Sequence, residues 1–228
     1  QITFHDLSTG NPTSWNWDLG NGSLSNLQNP ATLYTTPGTY TVTLVVRNAN
    51  GTNGITKTNY ITVYPSPLAN FDVDLGSIAC LPAKYQFSDR STTPVGTITK
   101  WQWDFGDGTT STLQNPTHLY STVGFYTIGL SVTSSTGCVG STAKYRYLRV
   151  VSGVTPDFKF TVDSVCRAPF NVQFINQTSG PGALTYNWTL GNGNNTVNEN
   201  PSTVYNAAGT YNITLVAKSE YGCSDTIT

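Results

Sequence analysis

The sequence predicts an all-β protein built from antiparallel β-sandwiches in tandem. One stretch, Trp103-Asp104-Phe105-Gly106-Asp107-Gly108, returns in altered form beginning at Trp17 and at Trp188. The three tryptophans are 86 and 85 residues apart, a spacing that indicates a repeated domain. Strand-like segments surround each copy, and no segment has helical periodicity of useful length. We call the three copies repeats 1, 2 and 3.

Two short segments in the first half of each repeat predict β-strands. In the first, apolar and polar residues alternate, as in Ile2-Thr3-Phe4, Tyr85-Gln86-Phe87 and Val172-Gln173-Phe174. The second carries aromatic residues at i and i+2: Trp15-Asn16-Trp17, Trp101-Gln102-Trp103 and Tyr186-Asn187-Trp188. Residues two apart share one face of a strand. We therefore expect the second aromatic of each pair, Trp17, Trp103 or Trp188, to lie in a core.

A glycine-rich turn follows each tryptophan. In repeat 2 the turn is Gly106-Asp107-Gly108. The central Asp is replaced by Asn21 in repeat 1 and by Asn192 in repeat 3. Asp and Asn beside Gly are typical of tight turns. Asp104 and Asp107 are also weak candidate calcium ligands, since calcium binds carboxylate oxygens. Repeat 3 loses both acids, so the shared feature predicts a structural turn, and calcium binding stays open for repeat 2 alone.

Three further features recur in register after each turn. They are an Asn-Pro pair, a tyrosine and a glycine that opens a long strand-like run. The pairs are Asn29-Pro30, Asn115-Pro116 and Asn200-Pro201, the tyrosines Tyr34, Tyr120 and Tyr205, and the glycines Gly38, Gly124 and Gly209. Alternation with β-branched residues in the run predicts a strand with one buried face.

Together these motifs resemble the PKD domain, and the resemblance covers nearly the whole chain three times. It implies immunoglobulin-like β-sandwiches of extracellular proteins, arranged end to end. Linkers at 65–67, which contains Pro65 and Pro67, and at 152–155, which is followed by Pro156, place the domains at 1–64, 68–151 and 156–228. By comparison with repeat 2, domain 1 is expected to lack its first strand and domain 3 its last.

Gly137-Cys138 and Gly222-Cys223, with the polar segments after them, resemble PKD arrays of very large cell-surface proteins of Bacteroidota, including gliding adhesins secreted by the type IX system. This resemblance implies an extracellular rod-like spacer or filament portion at the cell surface. Neighbouring PKD domains of the same chain, surface polysaccharide and other filament subunits are the implied partners. It also implies O-glycosylation at Ser164 and Thr226, which follow Asp. The alternative is a carbohydrate- or protein-binding accessory module of a secreted hydrolase.

The four cysteines allow three disulfide connectivities. Cys80 and Cys166 occupy one position of the repeat, and Cys138 and Cys223 occupy another. We expect one disulfide within each domain, Cys80–Cys138 and Cys166–Cys223, and hence an oxidising compartment. Zinc is the alternative, but the sequence has no closely spaced cysteine pair with a matched histidine.

The composition argues against several other classes of function. Charged residues make up 10 % of the chain, the net charge is −1, and no basic cluster favours nucleic acid. Apolar runs such as Val42 to Val46 are too short for membrane insertion. The two histidines, His5 and His118, lack partners in register for catalysis. We therefore expect no catalytic residues, no cofactor and no enzyme activity.

Overall fold

The computed structural model describes residues 1–163 and 166–228, and in these ranges it contains strands, turns and loops but no helix. The predicted all-β fold is confirmed. By their contacts the residues form two compact units. The first holds residues 1–68, 91–100 and 132–140, and the second holds residues 69–90, 101–131 and 141–228.

Repeat 1 folds into a two-stranded and a four-stranded sheet. Its strands are β1 (Ile2–Thr3), β2 (Ser14–Asp18), β3 (Leu24–Ser25), β4 (Ala31–Thr32), β5 (Gly38–Asn48) and β6 (Gly51–Val63). The sheet orders are β1-β4 and β3-β2-β5-β6. Phe4 from one side and Trp17 and Leu44 from the other pack together in its core.

Repeat 2 has a three-stranded and a five-stranded sheet. Its strands are β7 (Phe71–Val73), β8 (Ile78–Cys80), β9 (Ala83–Asp89), β10 (Ile98–Asp104), β11 (Thr110–Ser111), β12 (Thr117–Tyr120), β13 (Gly124–Ser134) and β14 (Val139–Val151). The orders are β12-β9-β7 and β11-β10-β13-β14-β8. Strand β8 pairs with β14 in parallel, and Cys80 lies in register with Val151.

Repeat 3 has a three-stranded and a four-stranded sheet, β15-β16-β19 and β18-β17-β20-β21. Its strands are β15 (Phe158–Val162), β16 (Phe170–Asn176), β17 (Leu184–Thr189), β18 (Asn195–Thr196), β19 (Ser202–Tyr205), β20 (Thr214–Ser219) and β21 (Ser224–Ile227). Phe174 on one sheet packs against Trp188 on the other, with 5.7 Å between ring centroids.

The tryptophan of each turn motif is buried between the two sheets. Trp17, Trp103 and Trp188 are 5, 0 and 0 % exposed. In repeat 2 the rings of Phe71 and Phe87 lie 5.3 and 5.5 Å from that of Trp103. Because side chains alternate along β10, the inward position of Trp103 leaves Asp104 facing outward at the start of the turn.

The recurring tyrosine ties this turn to the opposite sheet. In repeat 2 the hydroxyl of Tyr120, on β12, donates to the carbonyl oxygen of Phe105, just after β10, at 2.8 Å. Tyr34 donates to Leu19 at 2.6 Å in repeat 1, and Tyr205 to Leu190 at 2.7 Å in repeat 3. The tyrosine hydrogen bond thus connects the two sheets at the same place in each repeat, and in repeats 2 and 3 it satisfies a phenol that would otherwise be buried without a partner.

The first glycine of the turn has both an unusual backbone angle and no room for a side chain. Gly106 has φ of +77°, and a Cβ atom built there would overlap the carbonyl oxygen of Thr127 on β13. Gly20 and Gly191 meet the equivalent carbonyls in their own repeats. Gly108 also has a positive φ, +88°, but a Cβ there would project into open space. Both glycines of the turn therefore have a left-handed backbone conformation, but only Gly106 also lacks space for a side chain.

We predict that Gly106→Ala destabilises repeat 2 much more than Gly108→Ala. A left-handed non-glycine residue costs about 1–2 kcal/mol, and this applies to both. Overlap with Thr127 adds a further cost of about 1–3 kcal/mol at position 106. Urea unfolding of the two variants and the unmodified chain measures the difference. Equal losses of unfolding free energy would show that the close approach to β13 has no energetic consequence.

Candidate functional site

The turn of repeat 2 carries a carboxylate–imidazole pair. Asp107 Oδ2 lies 2.7 Å from Nε2 of His118 on β12, and the two side chains are 21 and 15 % exposed. Asp107 Oδ1 accepts hydrogen bonds from the Thr109 backbone at 3.0 Å and from its hydroxyl at 2.6 Å. The imidazole stacks on Phe105 with 4.2 Å between centroids and 1° between planes. Hydrogen bonds from Thr109 therefore hold Asp107 in place, and stacking on Phe105 holds His118 in place.

Two opposing effects act on the pKa of Asp107. Burial raises the pKa by penalising the carboxylate form, but hydrogen bonds from Thr109 and His118, with the His118 charge, more than offset that. The pKa of Asp107 is therefore held below its ordinary value of 3.8. The pair stabilises the ionised acid and gives it a structural partner.

Repeats 1 and 3 make the same connection with uncharged residues. The Asn21 amide donates to the Thr32 hydroxyl at 3.1 Å, and the Asn192 amide donates to the Thr203 hydroxyl at 2.9 Å. Thr32 and Thr203 occupy the position of His118, so both partners change together. In every repeat the turn is thus bonded to a strand of the opposite sheet. Sequence reasoning missed this role of His118, although the paired exchange is visible in the aligned repeats.

The carboxylate of Asp104, the other candidate calcium ligand, is used inside the turn. Its Oδ1 accepts the backbone N–H of Gly106 at 2.9 Å, as Asp18 does from Gly20 in repeat 1. Within residues 1–163 and 166–228, no three His, Cys, Asp or Glu residues are grouped so as to hold a metal ion. The geometry therefore assigns Asp104 and Asp107 to the turn.

The Asn-Pro pair has a structural role that the sequence did not reveal. The side-chain oxygen of Asn115 accepts the backbone N–H of Asp89 at 2.8 Å, and the Pro116 carbonyl accepts that of Phe87 at 2.9 Å. Asn29 and Asn200 make the equivalent side-chain bonds at 2.9 and 2.8 Å. The Asn-Pro segment thus extends the hydrogen bonding between the two neighbouring strands beyond their regular β-ladder.

The expected disulfide pairing is wrong. Cys80 is bonded to Cys223, 143 residues away in the next repeat, with 5.6 Å between Cα atoms. Cys138 and Cys166, expected to bond to Cys80 and Cys223 respectively, are free thiols. The reason lies in β14, whose 13 residues begin just after Cys138 and end at Val151, in register with Cys80. That strand spans about 40 Å at ~3.3 Å per residue, whereas a disulfide requires Cα atoms within ~7 Å.

The disulfide lies in an apolar cluster that joins repeats 2 and 3. Cys223 is 3 % exposed and packs with Val151, Val154 and Ala217. The Arg149 guanidinium lies 4.5 Å from the centre of the Tyr221 ring, at the edge of this cluster. The two repeats are therefore held by a covalent bond, by apolar contacts and by a cation–π contact.

Repeat 3 also contains an open apolar groove of about 380 Å³. Phe160, Phe170, Tyr205 and Tyr211 are among the residues that line it. In repeat 2 the second half of β14 runs alongside β13 and buries Leu148 at 0 % exposure. The described strands of repeat 3 include no counterpart of that half of β14.

Of the two predicted O-glycosylation residues, Thr226 lies exposed on β21 and Ser164 lies outside the described residues. O-glycosylation requires an accessible hydroxyl, and the modification of Thr226 stays a prediction. The structure describes no helix of the length and apolarity that a membrane span needs.

Comparison with known proteins identifies the repeats. A family model described as "PKD domain" matches residues 1–63, 66–148 and 154–228. A microbial collagenase of Vibrio alginolyticus is 42 % identical over 66 residues, which are 29 % of this chain and 8 % of the collagenase. Collagenase ColA of Bacillus cereus is 48 % identical over 50 residues, 22 % of this chain and 5 % of that protein. The matches thus span less than a tenth of either collagenase.

One similar solved structure is the PKD1 domain from the Vibrio cholerae metalloprotease PrtV. It is 29 % identical, has a TM-score of 0.33, and the match covers 38 % of this chain and 98 % of that chain.

The paired exchange at the turn leads to a double-mutant prediction. Asp107→Asn leaves His118 facing an amide, and His118→Thr removes the imidazole partner of Asp107, so each alone lowers stability by about 1–2 kcal/mol. The double variant recreates the Asn–Thr pair of repeats 1 and 3 and should recover most of that loss. Urea unfolding at pH 7 measures the cycle. Strictly additive losses would contradict the coupling.

The same variants predict a pH dependence. Because the folded pKa of Asp107 is lowered, its stabilisation is complete above the ordinary value of 3.8 and is lost as pH falls through the folded pKa. Between about pH 5 and about pH 2, the free energy of unfolding should fall more steeply in the unmodified chain than in the double variant. Identical profiles would show that Asp107 is not the group responsible.

Proposed function

The chain belongs to the PKD domain family, and from that premise we propose that it is an extracellular, non-catalytic spacer or filament segment of a larger bacterial surface protein. Its work would be to separate other parts of that protein and to resist extension. The observation that carries the proposal is the Cys80–Cys223 disulfide, which ties one repeat to the next. A covalent link between neighbours serves a chain under tension and serves no catalytic step.

Several features support an extracellular setting. Structural disulfides persist in oxidising compartments and are rare in reducing ones. The tyrosine–carbonyl hydrogen bond that connects the two sheets of each repeat, such as Tyr120 to Phe105, joins uncharged groups. The low charge of the surface would be complemented by O-glycans at residues such as Thr226, which is exposed. The resemblance to surface proteins of Bacteroidota belongs to this proposal and rests on the Gly-Cys hairpins.

The segment would be inert chemically. His118 is occupied by Asp107 and Phe105, and His5 is exposed on a loop. Both acids of the turn in repeat 2, Asp104 and Asp107, accept backbone hydrogen bonds within the turn. These side chains hold the backbone in place, which fits a structural role.

A second candidate function is an accessory binding module of a secreted hydrolase. It is favoured by the identity of 42 and 48 % to short parts of two collagenases. Exposed aromatic side chains would make the contact, and Tyr145 on β14 is 80 % exposed. The ligand would then be a collagen-like protein or a polysaccharide.

Force spectroscopy tests the spacer proposal. When the chain is pulled at both ends, the disulfide should prevent residues 81–222 from extending. Cys80→Ser with Cys223→Ser should therefore add about 500 Å of contour length, at ~3.5 Å for each of the 143 residues. Cys138→Ser with Cys166→Ser is the matched control and should leave the length unchanged. Equal lengths for all three chains would refute a force-limiting disulfide.

Binding to insoluble collagen distinguishes the second function. The spacer proposal expects the chain to remain in the supernatant when it is sedimented with collagen fibrils. The accessory-module proposal expects co-sedimentation that weakens roughly tenfold or more on Tyr145→Ala, as for a central aromatic contact of about 1.4 kcal/mol or more. Leu119→Ala, which truncates a 53 % exposed side chain on β12, is the control for general surface change.

A further inference from the structure

The junction before repeat 2 and the junction before repeat 3 share one backbone bridge. Leu68 and Thr92 exchange hydrogen bonds of 2.8 and 3.0 Å at the first junction. Thr155 and Ser179 exchange hydrogen bonds of 2.8 and 3.0 Å at the second. Leu68 and Thr155 align in the repeat. The chain thus enters both repeats in the same way.

The cysteines beyond these bridges sit in matching hairpins. The backbone N–H of Ser134 donates to the Cys138 carbonyl at 2.9 Å, and that of Ser219 donates to the Cys223 carbonyl at 2.8 Å. Cys223 is bonded to Cys80, whereas Cys138 is a free thiol. Identical backbone positions therefore hold one bonded and one unbonded sulfur.

The sulfur of Cys138 lies where a bonded partner would reach it. Within the first compact unit, Cys138 Sγ is 3.7 Å from the carbonyl oxygen of Tyr64, just after β6. Tyr64 aligns with Val151, and Val151 is the residue in register with Cys80. A strand paired beside the end of β6, as β8 is paired beside β14, would bring its own cysteine to Cys138.

The edge needed for such a strand is open. Among the described strands of repeat 1, β6 is the outer member of the order β3-β2-β5-β6. In repeat 2 the matching strand β14 has β8 beside it, so it is an inner strand. An unpaired strand edge is a template for an added strand.

We propose that Cys138 is one half of a second disulfide between neighbouring repeats, whose other half is a cysteine on a β8-like strand paired in parallel beside the end of β6. The rule is that the β8-type cysteine of one repeat bonds to the hairpin cysteine of the next. It concerns covalent connectivity and goes beyond the proposed function, since it holds for a spacer and for an accessory module alike.

The bond forms by thiol–disulfide exchange. One cysteine thiolate attacks a low-molecular-weight disulfide such as oxidised glutathione and releases one glutathione thiolate. The second cysteine thiolate then attacks the mixed disulfide and releases the other. Two protein thiols lose two protons and two electrons, and one oxidised glutathione becomes two reduced glutathione molecules.

An extended chain tests the proposal directly. Because Phe4 aligns with Phe87, a copy of residues 77–83 placed immediately before Gln1 puts a cysteine at the Cys80 position of repeat 1. In glutathione buffer the unextended chain should show two free thiols when denatured, Cys138 and Cys166. The extended chain, with one more cysteine, should show only one, and peptide mapping should find the added cysteine bonded to Cys138.

Two controls make the result specific. The same extension with Ser in place of its cysteine should return two free thiols, and Cys138→Ser in the extended chain should leave the added cysteine and Cys166 free. Three free thiols in the extended chain, or a bond from the added cysteine to Cys166, would overturn the proposal.

A second measurement applies if the extension does not fold. A peptide copying residues 77–83, its cysteine carried as a mixed disulfide with thiopyridine, is added to the unextended chain. Cys166 is the more exposed thiol, so reaction governed by exposure alone labels it first. Strand recognition at β6 instead favours Cys138, and a scrambled peptide should lose that preference. Preferential labelling of Cys166 by both peptides would overturn the proposal.

Discussion

A buried hydrogen bond, from the Tyr120 hydroxyl to the Phe105 carbonyl, connects the two sheets of repeat 2 at the turn that follows Trp103. The packing of each repeat depends on this turn. Trp103 must enter the core from β10, and the chain must then reverse against β13 without a side chain at Gly106. A tyrosine reaching across from the opposite sheet holds the reversal in place, and the same arrangement occurs in all three repeats.

The bond from the turn to the opposite sheet tolerates different chemistry. Asp107 with His118 in repeat 2 is equivalent to Asn with Thr in the other repeats, at distances between 2.7 and 3.1 Å. What is common is a short side chain on the turn and a hydrogen-bonding partner on the facing strand. Charge is incidental to this contact, which explains why the acids of the motif vary while the aromatic residue and the glycines persist.

Much of the fold could be predicted from the sequence because its determinants are local and repeated. Alternation along the strands, the position of Trp103 and the turn residues each depend on a few neighbouring amino acids. The pairing of Cys80 could not be predicted, because it depends on which end of β14 each cysteine occupies and on how one repeat follows another. The role of Asn115 was equally hidden, since its partner Asp89 is 26 residues away.

The Cys80–Cys223 bond has a consequence for proteolysis. A protease that cuts the chain once anywhere between these residues produces two fragments that remain attached through the disulfide. More than half of the chain lies inside that loop, including exposed loop tips that are the usual sites of cleavage. A molecule cut once inside this loop would keep its two ends connected until the disulfide was reduced. The two ends would therefore stay covalently linked although the backbone between them was broken.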